Sequence, residues 1–158
     1  GGAGITPIVA NSWMHFMNAE VAVMTGGDPT TETLAGIRSH MNKVDDITGA
    51  PAMDPAAIDA YIANFTADWA AASTLDAKLE LWAEEFWITQ RGNGIDAYNS
   101  YRRNGYPKNL QPMVEPDPGP FPVSMWYPQN YAANNSNVTQ KADLTSRVFW
   151  NTNGPAVD

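Results

Sequence analysis

A chain of 158 residues is about one ordinary domain, enough to bury roughly 70% of its unfolded surface. Nine Lys and Arg stand against seventeen Asp and Glu, a net charge of −8, which argues against nucleic acid or an anionic lipid surface as partner, since both are held by cations. The absence of cysteine excludes disulfides, thiolate metal sites and cysteine nucleophiles; with only His15 and His40, a His-rich metal site is excluded too.

Charged residues make up only 16% of the chain, against a usual value of about 25%. Asn, Thr, Ser and Gln carry the polar balance, and 11% of residues are aromatic. That mixture suits polar, uncharged ligands. No run of about 18 apolar residues and no signal-peptide pattern occurs. The opening Gly-Gly-Ala-Gly, without Met, reads as a processed or cloned end, so a piece of a longer protein is expected.

In chain order, Thr6-Pro7 reads as a helix start, with Thr as cap and Pro at the first helical position. A first helix is predicted over 8–25, with Val9, Trp13, Phe16, Met17, Glu20 and Met24 on one broad face. Gly26-Gly27 ends it. A second helix over 30–44 presents Leu34, Ile37 and Met41, and the short linker predicts an antiparallel hairpin with the first. Asp54-Pro55 starts a third helix over 55–71, lined by Ile58, Tyr61, Ile62, Phe65 and Trp69. Ser73 or Thr74 caps a fourth, over 75–90, whose stripe is Leu75, Leu79, Trp82, Phe86 and Thr89. Trp87 and Leu81 widen that stripe, so this helix is expected to be central. Gly92 and Gly94 break it, and a short fifth helix follows over 95–103.

The expected fold is therefore mainly α: two tetratricopeptide-like helical hairpins over 6–103, then a long irregular proline-rich strap and tail over 104–158. Two hairpins are fewer than such stacks usually need, which again predicts a missing N-terminal portion and marginal stability of this piece alone. Seven prolines between 107 and 128 forbid a helix there. Val114, Phe121, Val123, Met125, Trp126 and Tyr127 are too apolar for a disordered segment, so an extended strap is expected. A polar loop over 130–143, with a helical turn over 129–134, leads to an anchored segment, Arg147-Val-Phe-Trp150.

Several features coincide in order: Phe16-Met-Asn-Ala-Glu20, Gly36-Ile-Arg-Ser-His-Met41, Phe86-Trp87, Gly94, Tyr98 and Tyr101-Arg-Arg-Asn-Gly-Tyr-Pro107. Tyr127-Pro128, Asn135 and Val148-Phe-Trp150 follow. The ordered set resembles the C-terminal part of SusD-like (SusD/RagB) nutrient-binding outer-membrane lipoproteins of the Bacteroidetes. The chain departs from that family at Ser124 and Tyr131, where an Arg and a Glu are usual. The resemblance implies a helical, tetratricopeptide-like scaffold on the cell surface, anchored by a lipid on the missing N-terminal portion. It implies capture of oligosaccharides, or sometimes peptides, for a SusC-like TonB-dependent transporter in polysaccharide utilisation. It implies no enzyme activity and no cofactor.

Arg102 and Arg103 offer rigid donor forks, and the reading preferred here is a clamp on strap carbonyls rather than an anion site. Glu80, Glu84 and Glu85 form an acidic cluster on the fourth helix; Glu80 and Glu84 point the same way, so they cannot flank a glycosidic bond, and a solvated or Arg-paired face is expected. Asp45-Asp46 and Glu115-x-Asp117 lack the ligand spacing of a calcium loop. His15 is expected to be a packed or surface histidine. A sugar ring lies flat on an exposed aromatic while amides bond its hydroxyls, and Tyr106, Trp126 and Tyr131 are the nominees for that role, with burial under the strap favoured over exposure. The leading function is oligosaccharide binding. The alternatives are a helical-repeat module for a protein partner and a carbohydrate-active enzyme using the acids of the fourth helix.

Overall fold

The computed structural model describes residues 7–111 and 114–152. It is mainly helical, with no strand among the described residues. Six α-helices occur among these residues: α1 (Asn11–Met24), α2 (Thr30–Asn42), α3 (Pro55–Ala71), α4 (Leu75–Thr89), α5 (Gly94–Asn104) and α6 (Gln129–Asn134). A 3-10 turn, Lys43–Asp46, extends the end of α2. No described helix is long and apolar enough to cross a membrane. The chain divides into two compact units between Ala97 and Tyr98, a point inside α5 and six residues before the boundary expected at 103/104.

The helix limits follow local chemistry closely where a cap exists. Asp54 is extended, and its carboxylate accepts from the Ala56 N–H, with Pro55 opening α3. Thr74 is extended, and its hydroxyl accepts from the Ala77 N–H to open α4. The first helix starts later than expected. It opens at Asn11 with Ala10 in the cap position and no side-chain cap, so Pro7 lies outside it; Thr6 lies outside the described residues. At its other end Gly26, at φ 76°, lets the Gly27 N–H reach the Ala22 carbonyl at 2.7 Å. This is the wrap that glycine permits without a Cβ clash.

In the first unit, α1 and α2 pack most closely, and α4 lies against both while α3 leans on α2. The backbones of α3 and α4 stay further apart than those of α1 and α2. Residue size accounts for the close approach of α1 and α2. A Cβ at Gly36 of α2 would stand 2.7 Å from the Phe16 ring of α1, so the close approach needs glycine there. The buried aromatics of α3 and α4 reach toward α1 and α2: Trp69 bonds Thr30 of α2, Trp82 bonds the Phe16 carbonyl of α1, and Phe86 stacks on Phe16.

The core is built from Trp13, Phe16, Ala19, Ile37, Ile58, Phe65, Trp69, Trp82, Ala83 and Phe86. Phe16 and Phe86 stack at 5.3 Å, and Trp82 tilts onto Phe86 at 5.4 Å. Each buried tryptophan N–H finds an acceptor on another helix, as a buried indole requires. Trp13 donates to the Thr89 carbonyl, Trp82 to the Phe16 carbonyl, and Trp69 to the Thr30 hydroxyl. The buried face of α1 is Ser12, Trp13, Phe16 and Ala19, so Val9, Met17 and Met24, expected on the apolar side, are exposed. Leu75, expected in the α4 stripe, is also exposed.

The second unit is held by ring contacts and by hydrogen bonds to carbonyl oxygens more than by helix packing. Phe121 meets Tyr98 at 5.9 Å and Tyr101 edge-on at 4.9 Å. Tyr98 donates its hydroxyl proton to the Pro122 carbonyl at 2.7 Å. The N–H groups of Val123 and Ser124 both donate to the Leu144 carbonyl, joining two non-helical segments. Val123 and Ser124 are fully buried. Val114, Met125, Trp126 and Tyr127 are exposed, contrary to the expectation that their apolar side chains would all be covered. The anchored segment is likewise partial. Phe149 is 94% exposed, while Asn151 is buried and its N–H bonds the Val148 carbonyl.

Candidate functional site: an aromatic turn in the second unit

The segment from Met125 to Tyr131 carries the most exposed aromatic surface near the nominated residues. Pro128 ends an extended stretch and opens α6, whose first turn closes through Tyr131 and Ala132 N–H bonds to the Pro128 carbonyl. One glutamine sets the approach to this turn. Gln140 accepts from the Tyr127 N–H at 3.1 Å and donates back to the Tyr127 carbonyl at 3.0 Å. A side-chain amide thus takes the place of a neighbouring strand and pins the backbone of Tyr127. The Tyr127 and Tyr131 rings meet edge-on at 6.1 Å, and the Lys141 ammonium lies 5.2 Å from the Tyr127 ring.

Trp126 and Tyr131 are each 49% exposed. Both therefore present half a ring to solvent, where burial was the favoured expectation. Tyr127, which the sequence marks only as one of the strap's apolar residues and in the Tyr127-Pro128 pair, joins them as Tyr131's ring partner. Tyr106 is placed differently. It sits half-buried in the turn after α5, with its N–H bonded to the Asn104 side chain and the Lys108 ammonium 4.7 Å from its ring.

Arg102 occupies the centre of the second unit. Its guanidinium lies between two rings, 4.8 Å from Tyr98 and 4.5 Å from Trp150. It donates to the Val123 carbonyl at 3.2 Å and to the Asn99 side chain at 3.1 Å. Its Nε is buried without a hydrogen-bond partner among the described residues. A flat, weakly hydrated cation suits such a sandwich where an ammonium does not. Arg103 is half-buried beside it in sequence.

The acidic cluster of α4 requires correction. Glu85 is buried, 8% exposed, and accepts the hydroxyl proton of Tyr61 from α3. It is neither solvated nor paired with an arginine. Burial pushes the Glu85 carboxyl above its ordinary value, with the Tyr61 hydrogen bond opposing and Glu84 adding to the rise. Burial also raises the Tyr61 phenol, reinforced by its bond to Glu85. His15 lies 2.8 Å from Glu32 and ties α1 to α2. Asp45, weighed as a metal ligand, accepts from the Met53 N–H. Among the described residues, no group of three or more His, Asp and Glu could hold a metal ion.

No protein-family model matches the chain, and no curated protein matches it.

Proposed function

We propose that this chain is the C-terminal part of a SusD-like cell-surface protein that binds oligosaccharides and passes them to a SusC-like TonB-dependent outer-membrane transporter. In this reading the helices of the first unit are tetratricopeptide-like hairpins, and the non-helical run after α5 is a proline-rich strap. The observation that carries the reading is the half-exposed aromatic turn at Trp126, Tyr127 and Tyr131. It is flanked by Gln129, Asn130, Asn134 and Asn135, the side chains a sugar's hydroxyls require. Arg102 bonded to the Val123 carbonyl supports the clamp role read for the Arg102-Arg103 pair. The protein acts by capture: Glu85, the buried carboxylate of α4, is engaged with Tyr61 in a structural contact. Affinity electrophoresis in gels cast with a panel of polysaccharides tests the proposal. Retardation by at least one, reduced in Trp126→Ala, is expected; migration indifferent to every polysaccharide counts against it.

A second reading, a helical-repeat module for a protein partner, is favoured by one feature. Met14, Met17, Val21 and Met24 form an exposed apolar row along α1. Adaptable methionines are common on protein-binding surfaces. Loss of partner capture in Met17→Glu, with polysaccharide retardation absent, would favour this reading over the first.

A further inference from the structure

A cavity of about 700 Å³ opens in the first unit beside the first turn of α1. Its lining includes Asn11 and Ser12 of α1, Arg38 and Ser39 of α2, and Lys43 and Asp46 of the turn that follows. Four features of this lining favour an anionic occupant.

The first is the bare start of α1. Ala10 offers no capping side chain, and its carbonyl takes the N–H groups of Trp13 and Met14. The N–H groups of Asn11 and Ser12 have no backbone acceptor among the described residues. An uncapped helix start leaves donors and a partial positive charge facing outward. The second is independent of the helix. Ser12 is 2% exposed, and its hydroxyl is buried with no hydrogen-bond partner among the described residues. Buried hydroxyls are rarely left unpaired in native proteins, and Ser12 is one of the residues that line the cavity. The third is Ser39, whose oxygen accepts from the Asn11 side chain at 3.0 Å, leaving its proton to donate. The fourth is charge. Lys43 makes no ion pair among the described residues, and Arg38 spends one terminal nitrogen on Asp59 at 2.7 Å. Asp46 is the carboxylate that opposes an anion here, against two cations.

We propose that this cavity binds a small organic oxyanion, a carboxylate or phosphate carried on a body of one or two sugar rings. Pro7, Val9, Ala10 and Ala35 give the wall an apolar part that suits an organic body, and donors and cations outnumber the one carboxylate in its polar part, which selects an acceptor with negative charge. The volume exceeds what a bare ion fills and falls in the range of small-molecule sites. The chain as a whole carries −8, so such binding depends on the local wall and not on the overall field. The site lies in the first unit and stands whether or not the aromatic turn binds glycan.

Isothermal titration of the 158-residue chain tests this with glucuronate, a hexose phosphate and neutral glucose. Saturable binding of one or both anions, none of glucose, and weakening at about 1 M salt are expected. Binding of glucuronate alone assigns a carboxylate, and of the hexose phosphate alone a phosphate. Lys43→Gln, at a half-buried position that leaves the core intact, should weaken binding about tenfold with an unchanged melting curve. Ser12→Ala should weaken it as well. Equal affinity in wild type and Lys43→Gln, or no saturable binding of either anion, overturns the proposal.

Discussion

Glu85 and Tyr61 form a contact whose stability depends on pH in a direction that can be worked out. The Glu85 carboxyl is raised above its ordinary 4.5, chiefly by burial. Between that value and the raised one, the folded chain holds more protons than the unfolded chain. The contribution is therefore complete below about pH 4.5 and is lost as pH rises through the folded value. Glu85→Gln keeps an acceptor for the Tyr61 hydroxyl and removes the charge. Urea midpoints at about pH 4 and about pH 7 should fall with pH more steeply in wild type than in this variant. Parallel profiles would sink the assignment. Tyr61→Phe leaves the buried carboxylate without its donor and should cost about 1–3 kcal/mol near neutral pH. Arg102 makes a second prediction at this scale. Arg102→Lys cannot stack as a plane between Tyr98 and Trp150 or keep both side-directed donors, so it should fail to restore the stability lost in Arg102→Ala. Chemical denaturation of the three proteins compares them directly, and full restoration by lysine would refute the sandwich.

Two glycines with opposite surroundings separate packing from intrinsic helix preference. Alanine is favoured over glycine by about 1 kcal/mol in a helix interior. At Gly36 that gain meets a Cβ 2.7 Å from the Phe16 ring, the contact that sets how closely α1 and α2 approach. Gly36→Ala should therefore destabilise by about 1–3 kcal/mol net, since overpacking a filled interface forces rings and backbone to move. At Gly94, the first residue of α5, a Cβ meets nothing within 4 Å. Gly94→Ala should be neutral or stabilise by up to about 1 kcal/mol. Equilibrium unfolding of the pair decides it: a destabilised Gly94→Ala alongside a tolerated Gly36→Ala would show the account to be wrong. The helices also show how far local signals reach. The starts of α3 and α4 were legible because Asp54 and Thr74 bond amides two and three residues on. The start of α1 lies later than the threonine-proline signal predicts, because the helix opens at Asn11 with Ala10 in the cap position and no side-chain cap.

Across the whole molecule, the two units divide the chemistry. The first holds the tryptophan core and the cavity at the start of α1; the second holds the aromatic turn around Trp126 and Tyr131. Binding of a neutral oligosaccharide to that turn would rest on ring faces and amides, so it should change little with ionic strength, in contrast to an ion-pair contact. Trp126→Ala and Tyr131→Ala should each weaken such binding by about 1 kcal/mol or more while leaving the unfolding midpoint nearly unchanged, because both rings are half in solvent. Retardation in glycan gels and a thermal melt of each variant separate the two effects. Binding unaffected by both substitutions would remove the turn from the proposed site.

Local sequence determined where most helices lie and that the chain is mainly helical. Caps, first-turn prolines and terminal glycines act through hydrogen bonds spanning two to five residues, so they can be read without knowing the fold. The stretch over 107–128, non-helical among its described residues, was legible for the same reason, because proline acts on itself and its predecessor. Tertiary structure alone decided which face of each helix is buried. Met17 and Met24 share α1 with Phe16 and were equally apolar candidates, yet Gly36 and Phe86 select Phe16. It also decided that Glu85 is buried, since its partner Tyr61 is 24 residues away in sequence. It placed Arg102 between Tyr98 and Trp150, and left Trp126 half in water. Each of these depends on residues distant in the chain, and no local pattern encodes which of several similar side chains such a partner will meet.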